Sequence, residues 1–522
     1  MAFTLPRDLG GLDGIISRYD AAVARRQMWS SLYRECYRYA IPSRQLFIDY
    51  SPGQEKENEL FDSTAVDGVL EFASRMQATI CPPWRRWSLL EPGPNLPRDV
   101  RESDQVLEDL DEQTEILFSH LNYSNFTLKS HEAFIDLAVG TGAICCDLND
   151  ARDGLVFDCV PIARLAIEES PYGMVETVFE DKKLSIRSMK RLYGGKLTLP
   201  DAWTREKEHV EKSFAQGVLF EPKSKTYHLV LFAKEPKALL YHANLEQSSP
   251  YIVFRWSVVP GEVFGRGPVV NALADIRTLN LVVEYMLRGA ALTLAPPLTG
   301  VSDGILNPYT AVIAPDTIIP VGSNETANPS LKPLLAQMRP DLAQFILEDM
   351  RQGVRRKLLA DPRRREGPIE SATEVLVEDR EFVQQTGSNF GRIQAEFIER
   401  VIARAVYLLQ RIGAMAPIKV DGRQVTLKHT SPLARAQDTE DLQNFSNFAA
   451  LSQQAAGPEM YQLAVKTDEV PAWLAKKGGI PAVLIRSKEE RDEKVAQIRT
   501  ELQNAMPPPA GAPAPPGAPP PA

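Results

Sequence analysis

Cationic side chains cluster around residue 360 of this sequence and could bind phosphate groups. Arg363, Arg364 and Arg365 follow one another in a loop bounded by prolines, and Arg351 and Arg355 precede them on a predicted helix. Guanidinium groups bind the phosphates of a nucleic acid without reading its base sequence. These five residues are therefore the candidates for contact with DNA. A structural interpretation stays open, because cations also complement the dipole at the C-terminal end of a helix.

Motifs for other chemistries are missing from the sequence. It contains neither the G-x-x-x-x-G-K-[ST] string of a P-loop ATPase nor the G-x-S-x-G of a hydrolase. Gly261, Gly265 and Gly267 lack dinucleotide-binding spacing and predict a tight turn from a strand into a helix. Cys145 and Cys146 lie in an apolar run, which favours burial in a strand, and the histidines lack metal-ligand spacing. We therefore expect no catalytic residue, no metal and no cofactor.

Length and composition narrow the class of protein. The chain has 522 residues, and its 59 basic and 68 acidic side chains give a net charge of −9, which argues against tight, static binding to nucleic acid. At about 150 residues per domain, we expect roughly three structural units. No apolar run approaches the ~20 residues of a membrane span, and the N-terminus lacks the features of a signal peptide. Five cysteines without C-x-x-C spacing indicate a reducing compartment.

Hydrophobic periodicity predicts helices and strands in separate blocks. Helices are expected at about 12–40, 62–79, 104–121, up to 139, 186–193, 268–294, 341–360, 371–412 (kinked at its glycines), 439–456 and 487–503. Strands are expected at 143–147, 155–160, 174–179, 227–232 and 251–258, with a β-rich module at 295–334 and a hairpin at 418–427. The last residues, 507–522, consist of Pro, Ala and Gly and predict an extended segment.

Five stretches in a fixed order carry a family resemblance. They are YRYAIPS at 37–43, the helix and Cys-Pro turn at 65–89, the segment 125–142 that ends in Gly-Thr-Gly, GEVFGRG at 261–267 and ESATEV at 370–375. Together they resemble the portal proteins, or head-to-tail connectors, of short-tailed double-stranded DNA bacteriophages (podovirus type). The likeness covers about residues 12–412, whereas the last hundred residues match poorly.

The resemblance implies an α+β, mainly helical subunit with a wing, stem, clip and crown, which assembles into a homo-dodecameric ring with an axial channel. Its implied parts are an N-terminal wing (1–260), stem helix 1 (261–294), a clip (295–335), stem helix 2 (336–360), a tunnel loop (361–370), a long kinked helix of wing and crown (371–413), a C-terminal hairpin with crown helices (414–505) and a disordered Pro/Ala-rich tail (506–522). Arg363, Arg364 and Arg365 would then lie in the tunnel loop, and Arg351 and Arg355 in the stem.

The implied function is structural rather than enzymatic. Such a ring occupies one vertex of the capsid in the virion, after assembly in the host cytoplasm, and double-stranded DNA is packaged and ejected through it without sequence specificity. The implied partners are the terminase large subunit, then a tail adaptor protein, the major capsid and scaffold proteins, and internal core or ejection proteins, with no membrane.

Two alternatives remain open at the level of sequence. The first is another oligomeric virion scaffold or head–tail adaptor without a DNA channel. The second is an enzyme whose site, built around the β-rich middle of the chain, carries no recognisable motif.

Overall fold

A computed structural model describes most of the chain between residues 9 and 498. The described residues are 9–48, 53–54, 60–83, 85–97, 101, 103–194, 197–294, 298–300, 331–333, 340–360, 387, 389–417, 425–429, 432–466, 470–478, 494 and 496–498. Arg363, Arg364 and Arg365 lie outside these ranges, as do most of the predicted β-rich module, the first half of the long kinked helix and the Pro/Ala-rich tail.

The fold mixes helices and strands, as the sequence predicts, and its paired strands are antiparallel. The helices are α1 Gly11–Ala40, α2 Thr64–Ile80, α3 Asp104–Tyr123, α4 Phe126–Val139, α5 Ile186–Tyr193, α6 Asp201–Thr204, α7 Pro268–Leu294, α8 Pro340–Lys357, α9 Glu399–Arg411, α10 Pro432–Ala464 and α11 Val470–Gly478, with a π-helical segment at Gln394–Ile398. The strands are β1 Ser88–Pro92, β2 Thr141–Leu148, β3 Leu155–Cys159, β4 Leu165–Glu169, β5 Val175–Ser185, β6 Glu211–Glu221, β7 Thr226–Ala233, β8 Ala238–Asn244, β9 Tyr251–Arg255, β10 Leu298–Gly300, β11 Leu331–Pro333 and β12 Val425–His429. None of the described helices is long and apolar enough to cross a bilayer.

The chain divides into two compact units. The larger contains residues 1–85 and 117–415, and the smaller contains residues 86–116 and 416–522. Within the smaller unit, β1 pairs antiparallel with β12, so that Leu90 lies opposite Leu427. Trp87 is buried beside this pair, and Thr114 on α3 accepts a hydrogen bond from the Leu90 backbone at 3.2 Å. Residues 86–116 therefore belong structurally with the C-terminal part of the sequence.

A five-stranded antiparallel sheet in the larger unit supports α1. Its strand order is β4-β5-β6-β7-β8, a continuous meander. Tyr19 on α1 packs edge-on against Phe179 at 5.6 Å and Phe232 at 5.5 Å, between ring centroids. The opposite face is covered by α5, whose Ile186 and Met189 are buried with Leu231 on β7. Because both faces are buried, β7 is an almost continuous apolar run instead of an alternating one.

A second, three-stranded sheet forms the centre of the larger unit. Its order is β3-β2-β9, with both pairs antiparallel, and α4 packs on it. Phe397 in the π-helical segment packs against Phe254 on β9 at 4.6 Å and Phe134 on α4 at 5.3 Å, between ring centroids. These buried rings join the helical layer to the sheet through close aromatic contacts.

The turn that leads into α7 is held by direct contact between backbones. A Cβ atom added to Gly265 would lie 2.2 Å from the carbonyl oxygen of Gly140, and one added to Gly267 would lie 2.2 Å from that of Ala138. The Gly265 N–H donates to Thr141 at 2.9 Å, and the Tyr33 hydroxyl donates to the Gly265 carbonyl at 3.1 Å. These glycines therefore form the tight strand-to-helix turn that their spacing predicts.

Most predicted elements are confirmed and several strands were missed. The predicted helices at 12–40, 186–193 and 268–294 match α1, α5 and α7 within one residue at each end. The sequence did not predict β1, β4, β6 or β8. Charged residues interrupt the apolar pattern of β1 and β4, and in β6 Gly217 packs against the ring of Phe179. The end of the predicted hairpin at 418–427 lies in β12, which pairs with β1, while residues 418–424 lie outside the described ranges.

Replacement of Gly265 by alanine is expected to destabilise the larger unit. The new methyl group would overlap the Gly140 carbonyl, and relief of such a clash needs a backbone shift that costs about 1–3 kcal/mol or more. The matched control is Gly353→Ala on α8, where nothing lies within 4 Å and alanine should gain up to about 1 kcal/mol. Thermal unfolding followed by circular dichroism compares the two. Equal melting temperatures would contradict the close-approach role of Gly265.

Candidate nucleic-acid interface

Two of the predicted DNA-contacting residues lie on α8, and one of them is engaged within the subunit. The Arg351 guanidinium donates to the Asp62 carboxylate from Nε at 2.9 Å and from Nη2 at 2.8 Å. Arg355 is half-buried and forms no ion pair among the described residues. Contact of either residue with DNA therefore stays a prediction, and Arg351 also has a structural task.

Asp62 and its neighbour Phe61 connect the start of α2 to the interior of α7 and of α8. Its Oδ1 accepts a hydrogen bond from the Thr64 N–H at 2.9 Å, which satisfies a free backbone donor in the first turn of α2. Asn280 on α7 accepts from the Phe61 N–H at 2.8 Å and from the Asp62 N–H at 3.3 Å. Together with Arg351 on α8, these bonds tie α7 and α8 to the beginning of α2.

The environment of Asp62 favours its ionised form. Burial by itself would raise the pKa of this carboxyl, but hydrogen bonds from Thr64 and the charge and hydrogen bond of Arg351 outweigh burial and lower its pKa. The interaction stabilises the folded state above the unfolded-state pKa, and the stabilisation is lost as pH falls through the lowered value.

The end of α8, immediately before the arginine-rich loop, has a defined geometry. The Ala360 N–H donates to the Arg355 carbonyl at 2.9 Å and the Leu359 N–H donates to the Arg356 carbonyl at 3.2 Å, the pattern of a Schellman motif. Leu359 occupies the left-handed position with φ of 58°. Leucine rarely adopts this conformation, so the surrounding contacts must hold it there.

Helix α2 supplies those contacts. Leu358 is buried against Gly68, where an added Cβ atom would lie 2.7 Å from the leucine Cδ1. The Arg75 guanidinium donates to the Leu359 carbonyl at 3.2 Å. A further ion pair joins Lys357 to Asp275 on α7. Ala360, the last described residue before Arg363, Arg364 and Arg365, therefore lies at an end of α8 that α2 holds in place.

A buried cluster of charged side chains lies next to the turn that leads into α7. Arg255, at the end of β9, is fully buried and donates to Glu396 at 2.6 Å, to Glu169, and to the carbonyls of Val263 at 3.0 Å and Gly173 at 2.7 Å. Sequence analysis missed Arg255 and Glu396, whereas it does predict capping residues at the start of α2, where Asp62 accepts from the Thr64 N–H. The available signal was a single charge inside an otherwise apolar run, as in Tyr251–Arg255.

The cysteines are structural. Cys146 is fully buried in β2, as its apolar surroundings predict. Burial raises the pKa of the Cys145 and Cys159 thiols to about 12, so both stay protonated at neutral pH and are poor nucleophiles. Across the described ranges, no three metal-binding side chains converge in an arrangement that could hold an ion.

Comparison with known proteins identifies the family. Residues 12–485 match the model of the bacteriophage head to tail connecting protein family. The chain belongs to this family. It is 22% identical over 465 residues to a probable portal protein of Bordetella phage BPP-1, across 81% of this chain and 79% of that protein. The predicted resemblance to portal proteins is therefore confirmed. The family consists of structural proteins that connect the head and tail of the phage particle.

A solved structure also aligns with the chain. It is the neck of an empty GTA particle, computed with C6 symmetry, which aligns over 80% of this chain and 90% of that chain. The sequence identity is 11% and the TM-score is 0.35.

Replacement of Asp62 by asparagine should weaken the attachment of α8 to the start of α2. We expect a loss of about 1–2 kcal/mol in unfolding free energy at pH 7, because a charge-assisted bond is removed while the Arg351 end is partly exposed. The loss should begin to shrink below about pH 4, where the carboxyl of the unfolded chain becomes protonated, and it should vanish only as pH falls through the lowered pKa of the folded carboxyl. Urea unfolding at pH 7, 5 and 3.5 measures it.

The matched control is Asp275→Asn, since the pair of Asp275 with Lys357 is about half exposed on both sides. That variant should change the unfolding free energy by less than about 0.5 kcal/mol. Identical, pH-independent losses for the two variants would argue against Asp62 as an anchor.

Proposed function

We propose that twelve copies of this chain form a ring around an axial channel at one vertex of the capsid, and that double-stranded DNA is packaged and ejected through that channel. Membership in the head-to-tail connecting family supports the position between head and tail. The observation that carries the ring is the distribution of apolar side chains on α7 and α8. A head-to-tail adaptor or scaffold without a channel is the alternative that the experiments below separate.

Helices α7 and α8 pack together by one face and leave apolar residues on the other. The packed face includes Ile276, Leu279 and Val283 on α7 and Leu347 and Val354 on α8, which are all buried. At 100° per residue, Leu281 and Tyr285 lie on the opposite face of α7, and Phe345 lies on the opposite face of α8.

These outer residues are unusually exposed for their type. Tyr285 is 60% exposed, Phe345 is 75% exposed and Leu281 is 44% exposed. Exposed apolar side chains on the outer faces of both helices can bind one further copy on each side of the pair. Two different surfaces that meet head to tail close into a ring when the rotation between copies is a fraction of a full turn.

The family architecture assigns a part to each segment. We propose residues 1–260 as the wing, α7 and α8 within 261–294 and 336–360 as the stem, 295–335 as the clip, 361–370 as the tunnel loop, 371–413 as the helix of wing and crown, 414–505 as the hairpin and crown, and 506–522 as the tail. The antiparallel pairing of β10 with β11 supports the clip. Leu298 lies opposite Pro333, so the chain enters and leaves the proposed clip at neighbouring points.

The charges suit a conduit. The net charge of −9 repels DNA at long range, which prevents static adhesion, while a few arginines can touch phosphates as the duplex passes. We propose Arg363, Arg364 and Arg365 as those contacts, because they follow the fixed end of α8 in the sequence and are three successive cations. Arg351 and Arg355 are the second candidates. The partners would be the terminase large subunit, then a tail adaptor, with capsid, scaffold and internal core or ejection proteins.

Charge on the outer stem faces should prevent ring formation. The double variant Tyr285→Asp with Phe345→Asp places carboxylates at the proposed contact between copies, so the mass in solution should fall from that of a ring to that of a single chain. Light scattering and negative-stain microscopy measure this. The melting temperature should hold, because both side chains are exposed in the single subunit.

The control for this variant is Tyr172→Asp on the β4–β5 turn, where the tyrosine is 91% exposed but lies away from the stem. It should leave the rings intact. Rings of unchanged mass from the double variant would rule out these faces as the contact.

Neutralisation of Arg363, Arg364 and Arg365 to glutamine should leave ring assembly intact and reduce DNA packaging by about tenfold or more, through loss of phosphate contacts. Nuclease-protected DNA per particle is the measurement. The control is Arg152→Gln, Lys225→Gln and Lys237→Gln, which removes the same charge from exposed turns of the wing. Equal packaging by both triple variants would favour the adaptor without a channel.

A further inference from the structure

Two histidines meet at the outer edge of the five-stranded sheet. Nδ1 of His228 on β7 lies 3.2 Å from Nε2 of His242 on β8. The ring planes differ by 18° and the ring centroids are 5.4 Å apart. The distance between the nitrogens, with one ring radius added on each side, accounts for the centroid distance, so both nitrogens lie close to the line between the ring centres. The rings therefore meet edge to edge, in the geometry of one in-line hydrogen bond.

A carboxylate sets the direction of this hydrogen bond. Oε2 of Glu221, at the end of β6, lies 3.3 Å from Nε2 of His228. An ionised carboxylate only accepts hydrogen bonds, so Nε2 of His228 carries a proton. Nδ1 of a neutral His228 is then an acceptor, and Nε2 of His242 donates to it. Glu221, His228 and His242 thus form a hydrogen-bonded chain from the end of β6 across β7 to β8.

The chain of hydrogen bonds ends on a strand with few other anchors. In the part of the sheet that the structure describes, β8 is the edge strand and pairs with β7 alone. His228 is buried and His242 is half-buried. Leu240 is the last buried residue of β8, and residues 241–244 are half-buried or exposed. The histidine pair therefore joins the outer half of β8 to a buried side chain.

The pair can hold one additional proton but not two. When one imidazole is charged, its N–H still donates to the lone pair of the neutral partner, and the charge lies in a chain that contains the Glu221 carboxylate. When both imidazoles are charged, both facing nitrogens carry a proton. The hydrogen bond is then replaced by two opposed N–H groups of like charge, which repel each other.

Charged groups on the neighbouring elements do not alter this conclusion. The side of Glu221 away from the histidines faces a cavity whose lining includes Glu168, Glu169, Glu176 and Arg18. Helix α1 covers the face of β7 that carries Val230 and Phe232, and its carboxylates Asp13 and Asp20 pair with Lys237 and Lys234. Lys223 and Lys225 are exposed on the β6–β7 turn, and the Glu246 carboxylate accepts from the Tyr407 hydroxyl. Val230 and Asn244, which lie opposite the two histidines, carry no charge.

We propose that the histidine pair makes the outer edge of this sheet sensitive to acid. Residues 241–244 stay paired with β7 while at most one of the two imidazoles is charged, and they separate from β7 when both are charged. The proposal does not rest on the conduit, since it concerns contacts within one subunit.

The direction of the pH effect follows from His242. Burial, and in second place the charge of His228, lower the pKa of His242 below its ordinary value of 6.5. In the separated edge both causes are absent, so the ordinary value returns. Between the two values the separated form binds more protons, and separation becomes easier as pH falls. Below the lowered value the effect of His242 is complete.

Hydrogen exchange of the full chain at pH 7.5 and pH 5.0, corrected for the intrinsic pH dependence of exchange, tests the proposal. Amides at 241–244 should lose at least about fivefold in protection at pH 5.0. Amides at 214–219, in the centre of β6 with a strand on each side, should change by less than about twofold. Equal losses in the two ranges would mean general destabilisation by acid and would overturn the proposal.

The decisive variant is His242→Gln, because glutamine can donate to Nδ1 of His228 but cannot take up a proton. Its amides at 241–244 should differ by less than about twofold between the two pH values. The matched control is His209→Gln, which removes an exposed histidine from the turn before β6 and should keep the loss seen in the wild type. An undiminished loss in His242→Gln would overturn the proposal. If His242→Gln does not fold, His228→Gln, which removes the other imidazole, is judged by the same criterion.

Discussion

The subunit depends on one buried cation whose hydrogen-bonding capacity is fully used. Arg255 has five N–H groups on its side chain, and all five have acceptors: two on Glu396, one on Glu169 and the carbonyls of Val263 and Gly173. Burial by itself would lower the pKa of this guanidinium, but the two carboxylates outweigh burial and raise it. A cation in such a place is tolerable only because it is paired throughout, and loss of a partner typically costs about 3–5 kcal/mol.

As a consequence, four segments that are distant in the sequence meet at Arg255, and their relative positions are closely fixed. The β4–β5 turn, the glycine turn before α7, the end of β9 and the π segment all contact the same side chain. Because hydrogen bonds to a planar fork have fixed directions, Arg255 sets orientation as well as proximity. The glycines complete this arrangement, since Gly265 and Gly140 let two backbones touch where a side chain would separate them. Helix α7 therefore leaves the body of the subunit in a defined direction.

Local patterns in the sequence predict many of the helices and strands, but they do not predict which distant residues are in contact. Helices α1, α5 and α7 follow from apolar periodicity and from proline and glycine at their ends. The pairing of β1 with β12 joins residues more than 330 positions apart, and no local pattern encodes it. The candidate site shows the same limit, because charge alone made Arg351 a candidate for DNA contact, whereas its bond to Asp62, 289 residues away, requires the fold.

The proposed channel for DNA would need rigid walls and weak contacts with the duplex, and different side chains of the subunit would meet these two requirements. Rigidity comes from buried pairs such as Arg255 with Glu396, which water and salt barely weaken. In the proposed function, weak and salt-sensitive contact with DNA would fall to Arg363, Arg364 and Arg365, which follow the anchored end of α8 in the sequence. If the buried pairs were instead exposed to the same phosphates, DNA would compete for Arg255. Burial would keep Arg255 from exchanging partners with the cations proposed to contact DNA, and that separation is what the fold would contribute to the proposed function.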